Sequence, residues 1–439
     1  MSKKIKFISG AFLSLTMIPF IAASCENTKN SNDKNIDGSS SSLTPPANSM
    51  PDDKKDGDKN VTPPNNGKEQ ADQPGGSSEG SDNNNPINKE KEETEEDRKA
   101  NKNNAEKVIK IVGEQKDAFA TFHSLQDFLD QINVYAKEEK INNLELAEND
   151  KTRMLLEDTE GGKNKIKLKL GSHTFEVSLG SVYKDKVVTK YAVKDSNSTI
   201  KISLDNKFDD INKTDDKIFV KQIGYSKDTS KNSITIATMP KNTVEVPKNL
   251  PLKINSLFQA FHQLKSPIIN NLDKWNLKNV NNISEVFSHA SEFNQDISKW
   301  DTSNVRNMSG VFDGAAKFNS PLNNWNVSNV TQMSSFFAGA TAFNQDLNLW
   351  NTSNVQDMES MFQEATSFNG NIDNWNVSNV KNMYSMFGDT ENFSHDLSKW
   401  KLNSNVKTDN MFTRATKVDV EKLASIWGVS ADKLRKTSK

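Results

Sequence analysis

The chain has 439 residues, 56 Lys and Arg against 58 Asp and Glu, and a formal net charge of −2. No basic tract stands out of that balance, so nucleic acid is not an expected partner. Cys25 is the one cysteine, which rules out an intrachain disulfide and leaves stability to packing. Read from its start, the chain opens as an export signal. Lys3, Lys4 and Lys6 form a positive region, the stretch 7–21 is mostly apolar, and small residues follow at Ala22, Ala23 and Ser24. A transmembrane helix is the competing reading. The stretch is short for one, and Gly10, Ser14, Thr16 and Pro19 interrupt it. Cys25 comes immediately after.

Ala22-Ala23-Ser24-Cys25 resembles the lipobox of bacterial lipoproteins. The resemblance implies that the signal peptide, 1–24, is cut before Cys25 and that the Cys25 sulfur carries a diacylglycerol. The protein is then held at the extracellular face of the cell membrane. Each buried CH₂ contributes about 0.8 kcal/mol, so one acyl chain is marginal and two give lasting anchorage. Residues 26–103 contain no aromatic side chain and no sustained apolar run. Such a segment cannot offset its ordering entropy. The stretch 25–103 is therefore expected to be a lipidated, disordered tether, reaching roughly 50 Å as a flexible coil.

The middle of the chain reads as a small α+β domain over 104–250. Ser124 is placed to cap a helix in which Leu125, Phe128, Leu129, Ile132 and Ala136 recur at helical spacing. The period then changes to two. Ile166, Leu168 and Leu170 alternate with lysines, Phe175, Val177 and Leu179 alternate with polar residues, and Gly171-Ser172 between the runs marks a hairpin. Further strand-like runs lie at 199–204, 217–223, 233–238 and 243–246. His123 and His173 stand alone, with neither a cysteine nor a carboxylate at ligand spacing, and read as surface or turn residues. No catalytic constellation, cofactor motif or metal-ligand set is legible.

From residue 251 one spacing dominates. Trp275, Trp300, Trp325, Trp350, Trp375 and Trp400 are 25 residues apart. Phe287, Phe312, Phe337, Phe362, Phe387 and Phe412 keep the same step, as do Phe293, Phe318, Phe343, Phe368 and Phe393, and Ala290, Ala315, Ala340 and Ala365. A fixed period in this range means stacked units that cannot bury their apolar faces alone. The expectation is a solenoid of about six copies over 251–416, with a helical cap over 417–439 in which Val420, Leu423 and Trp427 share a face. Met308, Phe312 and Ala315, at i, i+4 and i+7, predict a short helix in each copy. Asn307, Asp357 and Asn382 are placed as its N-caps. The strand of each copy is either 293–297 or 302–305. The aromatic columns read as core. Asn279, Asn304, Asn329, Asn354 and Asn379 form a polar column, read as satisfying turn backbone rather than a ligand. Copies alternate in pairs: Asp296, Asp346 and Asp396 recur in every second copy, and Thr302 and Thr352 alternate with Val327 and Val377. A calcium ion shared between those aspartates is excluded. Carboxylates two coils apart are separated by about 10 Å, and calcium ligands lie about 2.3–2.6 Å from the ion.

The copies "FNQDISKWDTSNVRNM" and "FNQDLNLWNTSNVQDMESMF", and the stretch 238–264 that leads into them, resemble the BspA-type leucine-rich-repeat surface lipoproteins of mycoplasmas. The resemblance covers about 250–416. It implies a leucine-rich-repeat-like solenoid on an outward-facing lipoprotein, a surface antigen or adhesin. The last copy departs from the pattern, with Thr408 in place of Met and Val406 shifted by one. The sequence thus points to an α+β protein built from a disordered tether, a small α+β domain and a solenoid of strand–helix units. Its expected role is non-catalytic: a lipid-anchored surface protein that binds a host extracellular or cell-surface protein or glycan. A surface shield or variable antigen without a specific ligand is the second reading, and an enzyme the third. The sequence names no binding-surface residues.

Overall fold

The computed structural model describes residues 92–435, except 117, 121–123 and 231. The expected signal peptide, Cys25, His123 and most of the tether lie outside the described residues. The tether expected to run to 103 ends earlier, because helix α1 occupies Glu95–Glu114. Thr94 and Asp97 close a reciprocal capping box at its start, and Ala105, Val108 and Val112 are buried along one face. Those apolar residues lie beyond 103, so the composition of the first turns gives no sign of the helix.

Helix α2, Leu125–Glu138, starts at Ser124, whose side chain accepts the Asp127 N–H while the Asp127 carboxylate accepts the Ser124 N–H. Leu125, Phe128, Leu129, Ile132 and Ala136 are buried, with Tyr135 beside them. Strand β1 is Leu144–Leu146, β2 Lys165–Leu170 and β3 His173–Ser178. They form an antiparallel sheet in the order β1-β2-β3. In β2 the buried residues Ile166, Leu168 and Leu170 alternate with the lysines, as a half-buried strand requires. These helices and strands share one hydrophobic core that runs from Ala105 to Val182.

The remaining strands are β4 Lys186–Val187, β5 Thr189–Val193, β6 Lys201–Ser203, β7 Ile218–Gln222, β8 Tyr225–Asp228, β9 Ser233–Ile236 and β10 Thr243–Glu245. They form two further sheets, β10-β7-β5-β6 and β4-β8-β9. Their buried residues, among them Val187, Ile218, Val220, Tyr225 and Ile236, belong to the same core as the tryptophan and phenylalanine columns. The segment expected as one domain over 104–250 is therefore divided. Its first part has its own core, and the rest extends the core of the array. The link is continuous in the backbone as well: β9 bridges to Ser256 and β10 to Asn270, both in parallel. The first part is tied to residues 248–253. Lys253 pairs with Asp127 at 2.9 Å, Lys248 with Glu138 at 2.8 Å, and the Gln131 side chain accepts the Leu252 N–H at 2.9 Å.

Beyond 254 the chain stacks on itself. Ser256, Asn282, Asn307, Gln332, Asp357, Asn382 and Lys407 are joined in series by parallel bridges. Phe287, Phe312, Phe337, Phe362, Phe387 and Phe412 stack with ring centroids 5.5–5.7 Å apart. Each indole is 2–4 % exposed in the tryptophan column from Trp275 to Trp400. Indole N–H groups donate to a carbonyl 28 residues earlier, as from Trp325 to Ile297 at 3.1 Å and from Trp350 to Leu322 at 3.0 Å.

The helix expected at Met308, Phe312 and Ala315 is absent. All three side chains are fully buried, but the backbone is a run of tight turns. Met308, Gly310, Phe312 and Gly314 donate their N–H groups to the next coil, at Gln332, Ser334, Phe336 and Ala338. The intervening residues Asp313 and Ala315 bond three residues back. Gly310 and Gly314 have φ of +62° and +67°, and Ser360 and Glu364 repeat this with +53° and +60°. A left-handed residue at every fourth position cannot belong to a right-handed helix. Gly314 is also held by packing, since a Cβ there would lie 2.6 Å from His289 Nδ1. Neither expected strand forms. The segment 293–297 has no regular structure and 302–305 only a turn at 303–304, and the single bridging residue is the one placed as an N-cap. Asn307, Asp357 and Asn382 do accept the N–H two residues on, at 3.0–3.2 Å, so they act as caps of a turn rather than of a helix.

Helices α3, Val420–Trp427, and α4, Ala431–Arg435, follow the last coil. Val420 and Leu423 are buried and Trp427 is partly buried, and Asn410 and Phe412 donate N–H groups to Lys433 and Leu434 as they would to another coil. The departure at Thr408 has a physical counterpart: its Oγ1 is buried without a hydrogen-bond partner among the described residues.

Candidate functional site

Three kinds of column reach the surface of the stack. The first is Arg306, Thr331, Gln356 and Lys381. Each donates its N–H to the same position one coil earlier, at 2.8–2.9 Å, so the backbone is a constant parallel ladder. The side chains on it differ in charge and size and are exposed or half-exposed. Little binds them to one another beyond Lys381 Nζ to Gln356 Oε1 at 3.0 Å and Thr331 Oγ1 to the Arg306 carbonyl at 3.3 Å.

The second column is Asn279, Asn304, Asn329, Asn354 and Asn379. Their Nδ2 groups donate to carbonyls of the preceding coil at 2.6–2.8 Å. The sequence reading assigns these amides to turn backbone. They do satisfy backbone, but that of the neighbouring coil. Thr302 and Thr352 act similarly, donating from Oγ1 to Asn326 and Asn376 carbonyls at 3.0 Å. Val327 and Val377 pack apolar methyls at the same place in the alternate coils.

The third column, Asn294, Asn319, Asn344 and Asn369, has the opposite polarity. Here the Oδ1 atoms accept the N–H groups of Asn319, Asn344, Asn369 and Ser394 at 2.8–3.0 Å. Sequence reasoning did not single out this column, although the recurrent Phe-Asn pair marks it in the sequence. Two residues further on stand Asp296, Asp346 and Asp396. Lys422 beside Asp396 holds its carboxyl down at about 2, the Ser298 hydroxyl and N–H hold Asp296 low, and Asp346 Oδ1 accepts the Asn371 N–H at 2.8 Å.

Near the start of the array His262 and His289 meet edge to face at 5.6 Å. Burial pushes Asp313 above the usual carboxylate range, with His289 opposing, and burial followed by His289 pulls His262 down. Among the described residues no three His, Cys, Asp or Glu side chains converge at metal-ligand geometry. His173 lies against Phe175, apart from this pair. A cavity of about 360 Å³ between the first core and the sheets is lined by Tyr135, Glu138, Lys221, Gln222, Lys248 and Asn271. Its charges are already matched, Lys248 with Glu138 and Lys221 with Glu245. Burial pushes the Tyr135 hydroxyl up to about 12, which leaves it a neutral hydrogen-bonding group.

The described residues thus form a mixed structure of few helices and several small open sheets, followed by the stacked turns. Residues 254–367 and 345–434, the stacked region, match the model of a family described as a Mycoplasma protein of unknown function, DUF285. No curated protein and no solved structure matches the chain.

Proposed function

We propose that the chain is a lipid-anchored protein of the outer cell surface, attached through Cys25. In this reading the stacked turns form a leucine-rich-repeat-like solenoid that binds a host or neighbouring-cell macromolecule. The protein is non-catalytic and uses no cofactor or metal. The observation that carries the reading is the contrast within the stack. Backbone bonds, indoles and phenyl rings repeat from coil to coil, while Arg306, Thr331, Gln356 and Lys381 change on an unchanging ladder. A scaffold that holds its interior constant and varies its outward side chains is suited to recognition. A variable surface antigen is the second reading. It is favoured by the pairwise alternation, since coils with the same bonds can be gained or lost two at a time.

Anchorage is tested at Cys25. Cys25→Ser is expected to abolish fatty-acid labelling and to move the protein from the detergent phase to the aqueous phase in phase partitioning. A Cys25→Ser protein that still labels and partitions with detergent contradicts this attachment.

A further inference from the structure

We propose that the column Asn294, Asn319, Asn344 and Asn369 is a docking ladder for an extended, basic polypeptide segment of a partner protein. The proposal rests on the binding reading above and names the partner's chemistry. An asparagine amide carries one acceptor oxygen and an NH₂ with two donors. In this column the oxygen is used within the stack, by the N–H of the next coil. That bond fixes the amide and leaves its Nδ2 without a partner among the described residues. The other asparagine column spends one N–H of each Nδ2 on the preceding coil and so keeps a single donor per amide, against two in this column. Asn294, Asn344 and Asn369 are exposed and Asn319 half-exposed.

The spacing selects the ligand. The phenylalanines immediately before these asparagines stack 6.1, 6.1, 5.9 and 5.8 Å apart, which sets the coil step at this face. A β-strand presents a carbonyl to one side every two residues, about 6.4–6.8 Å, and strongly twisted strands are shorter. An extended peptide along the column therefore offers one carbonyl to each amide. Backbone bonds of this kind give affinity, and side chains give specificity.

Charge supplies that specificity. Asp296 and Asp346 are exposed two residues beyond the ladder, in alternate coils, and neither makes an ion pair among the described residues. Their separation is two coil steps, about 12 Å, close to four residues of a strand at about 13 Å. A Lys or Arg at every fourth residue meets both carboxylates. Asp396, two coils further on, is already occupied by Lys422 at 2.8 Å. The segments that carry the ladder, 293–298, 318–323, 343–348 and 368–373, expose no Phe, Tyr or Trp ring on which a sugar could stack, which favours a polypeptide over a glycan.

The test uses the full-length protein in detergent and a fluorescent peptide of three Lys-Thr-Ser-Thr units, followed by anisotropy. The acidic counterpart with Glu for Lys and a panel of neutral glycans serve as the other arms. The wild type is expected to bind the basic peptide and not the acidic one. The double variant Asn319→Ser with Asn344→Ser is expected to bind about tenfold more weakly, by the loss of two hydrogen bonds. Serine occupies the last position of this column at Ser394, and a melting curve checks that the fold also tolerates it at 319 and 344. Asp346→Asn places there the residue that the next coil carries at Asn371. It is expected to weaken binding about threefold at low salt and to match wild type at high salt. Absence of peptide binding, equal binding by all variants, or dependence of glycan binding on Asn319 and Asn344 each overturns the proposal. If the protein binds host cells through another column while these peptide results fail, the ladder is wrong and the recognition reading stands. If it binds neither cells nor peptide, both fail.

Discussion

Deletion of residues 325–374, two full steps, is expected to leave a protein that melts in one cooperative transition, whereas deletion of 325–337 is expected to leave none. After the longer deletion Asn324 joins Trp375, and every column finds an equivalent partner. Trp300 stacks on Trp375 as it now does on Trp325, and Phe312 meets Phe387 in place of Phe337. Thr302 meets the Asn376 carbonyl, which Thr352 already uses in the same way. Trp375 Nε1 finds the Ile297 carbonyl that Trp325 now uses. The pairwise alternation is preserved. The shorter deletion removes Trp325, Met333, Phe336 and Phe337 and sets Ala338 where an indole must stack. Its backbone donors then face positions with no matching acceptors, and buried unpaired groups are costly. Circular dichroism melts of both deletions give the answer, and equal tolerance of the two contradicts stacking at a fixed register.

The apolar skeleton of the fold is legible in the sequence, and its backbone is not. Met308, Phe312 and Ala315 are buried as their spacing requires. A four-residue ribbon of turns and a 3.6-residue helix place apolar side chains almost identically over so short a window. The distinguishing feature is the left-handed residue at every fourth position. Gly310 and Gly314 advertise it, but Ser360, Glu364, Ser385 and Asp389 adopt the same conformation without any compositional signal. The division of 104–250 is hidden for a related reason. Alternation shows which face of β7 is buried, but Ile218 and Val220 do not reveal which core receives them. At the candidate surface the Phe-Asn pairs are visible in the sequence. Whether an amide spends its oxygen or its nitrogen on the stack depends on the orientation of neighbouring coils, which spacing does not encode. Cys25, the most sharply defined site in the sequence, lies outside the described residues.

Trp350→Ala is expected to destabilise the protein by about 3–5 kcal/mol, the range for emptying a large aromatic site. Trp350 lies against Trp375 at 6.0 Å and Phe336 at 5.5 Å. Its Nε1 donates to the Leu322 carbonyl at 3.0 Å, so truncation also strands a buried acceptor. Gln356→Ala, on the exposed ladder, is expected to stay within about 0.5 kcal/mol of wild type. Denaturant unfolding of the two variants checks both values. If Trp350→Ala left stability unchanged and abolished cell binding, the tryptophans would be an exposed recognition stripe.

The central claim, that the stack is a recognition surface, is tested most directly by titrating host cells and immobilised extracellular matrix with a purified fragment of residues 92–439, which keeps the capping box at Thr94 and both cores. Saturable binding that is reduced by Arg306→Ala, Gln356→Ala and Lys381→Ala together, with the melting temperature unchanged, is the predicted result. Binding that does not saturate, or saturable binding that survives removal of residues 325–374 and every exposed-column substitution, contradicts it.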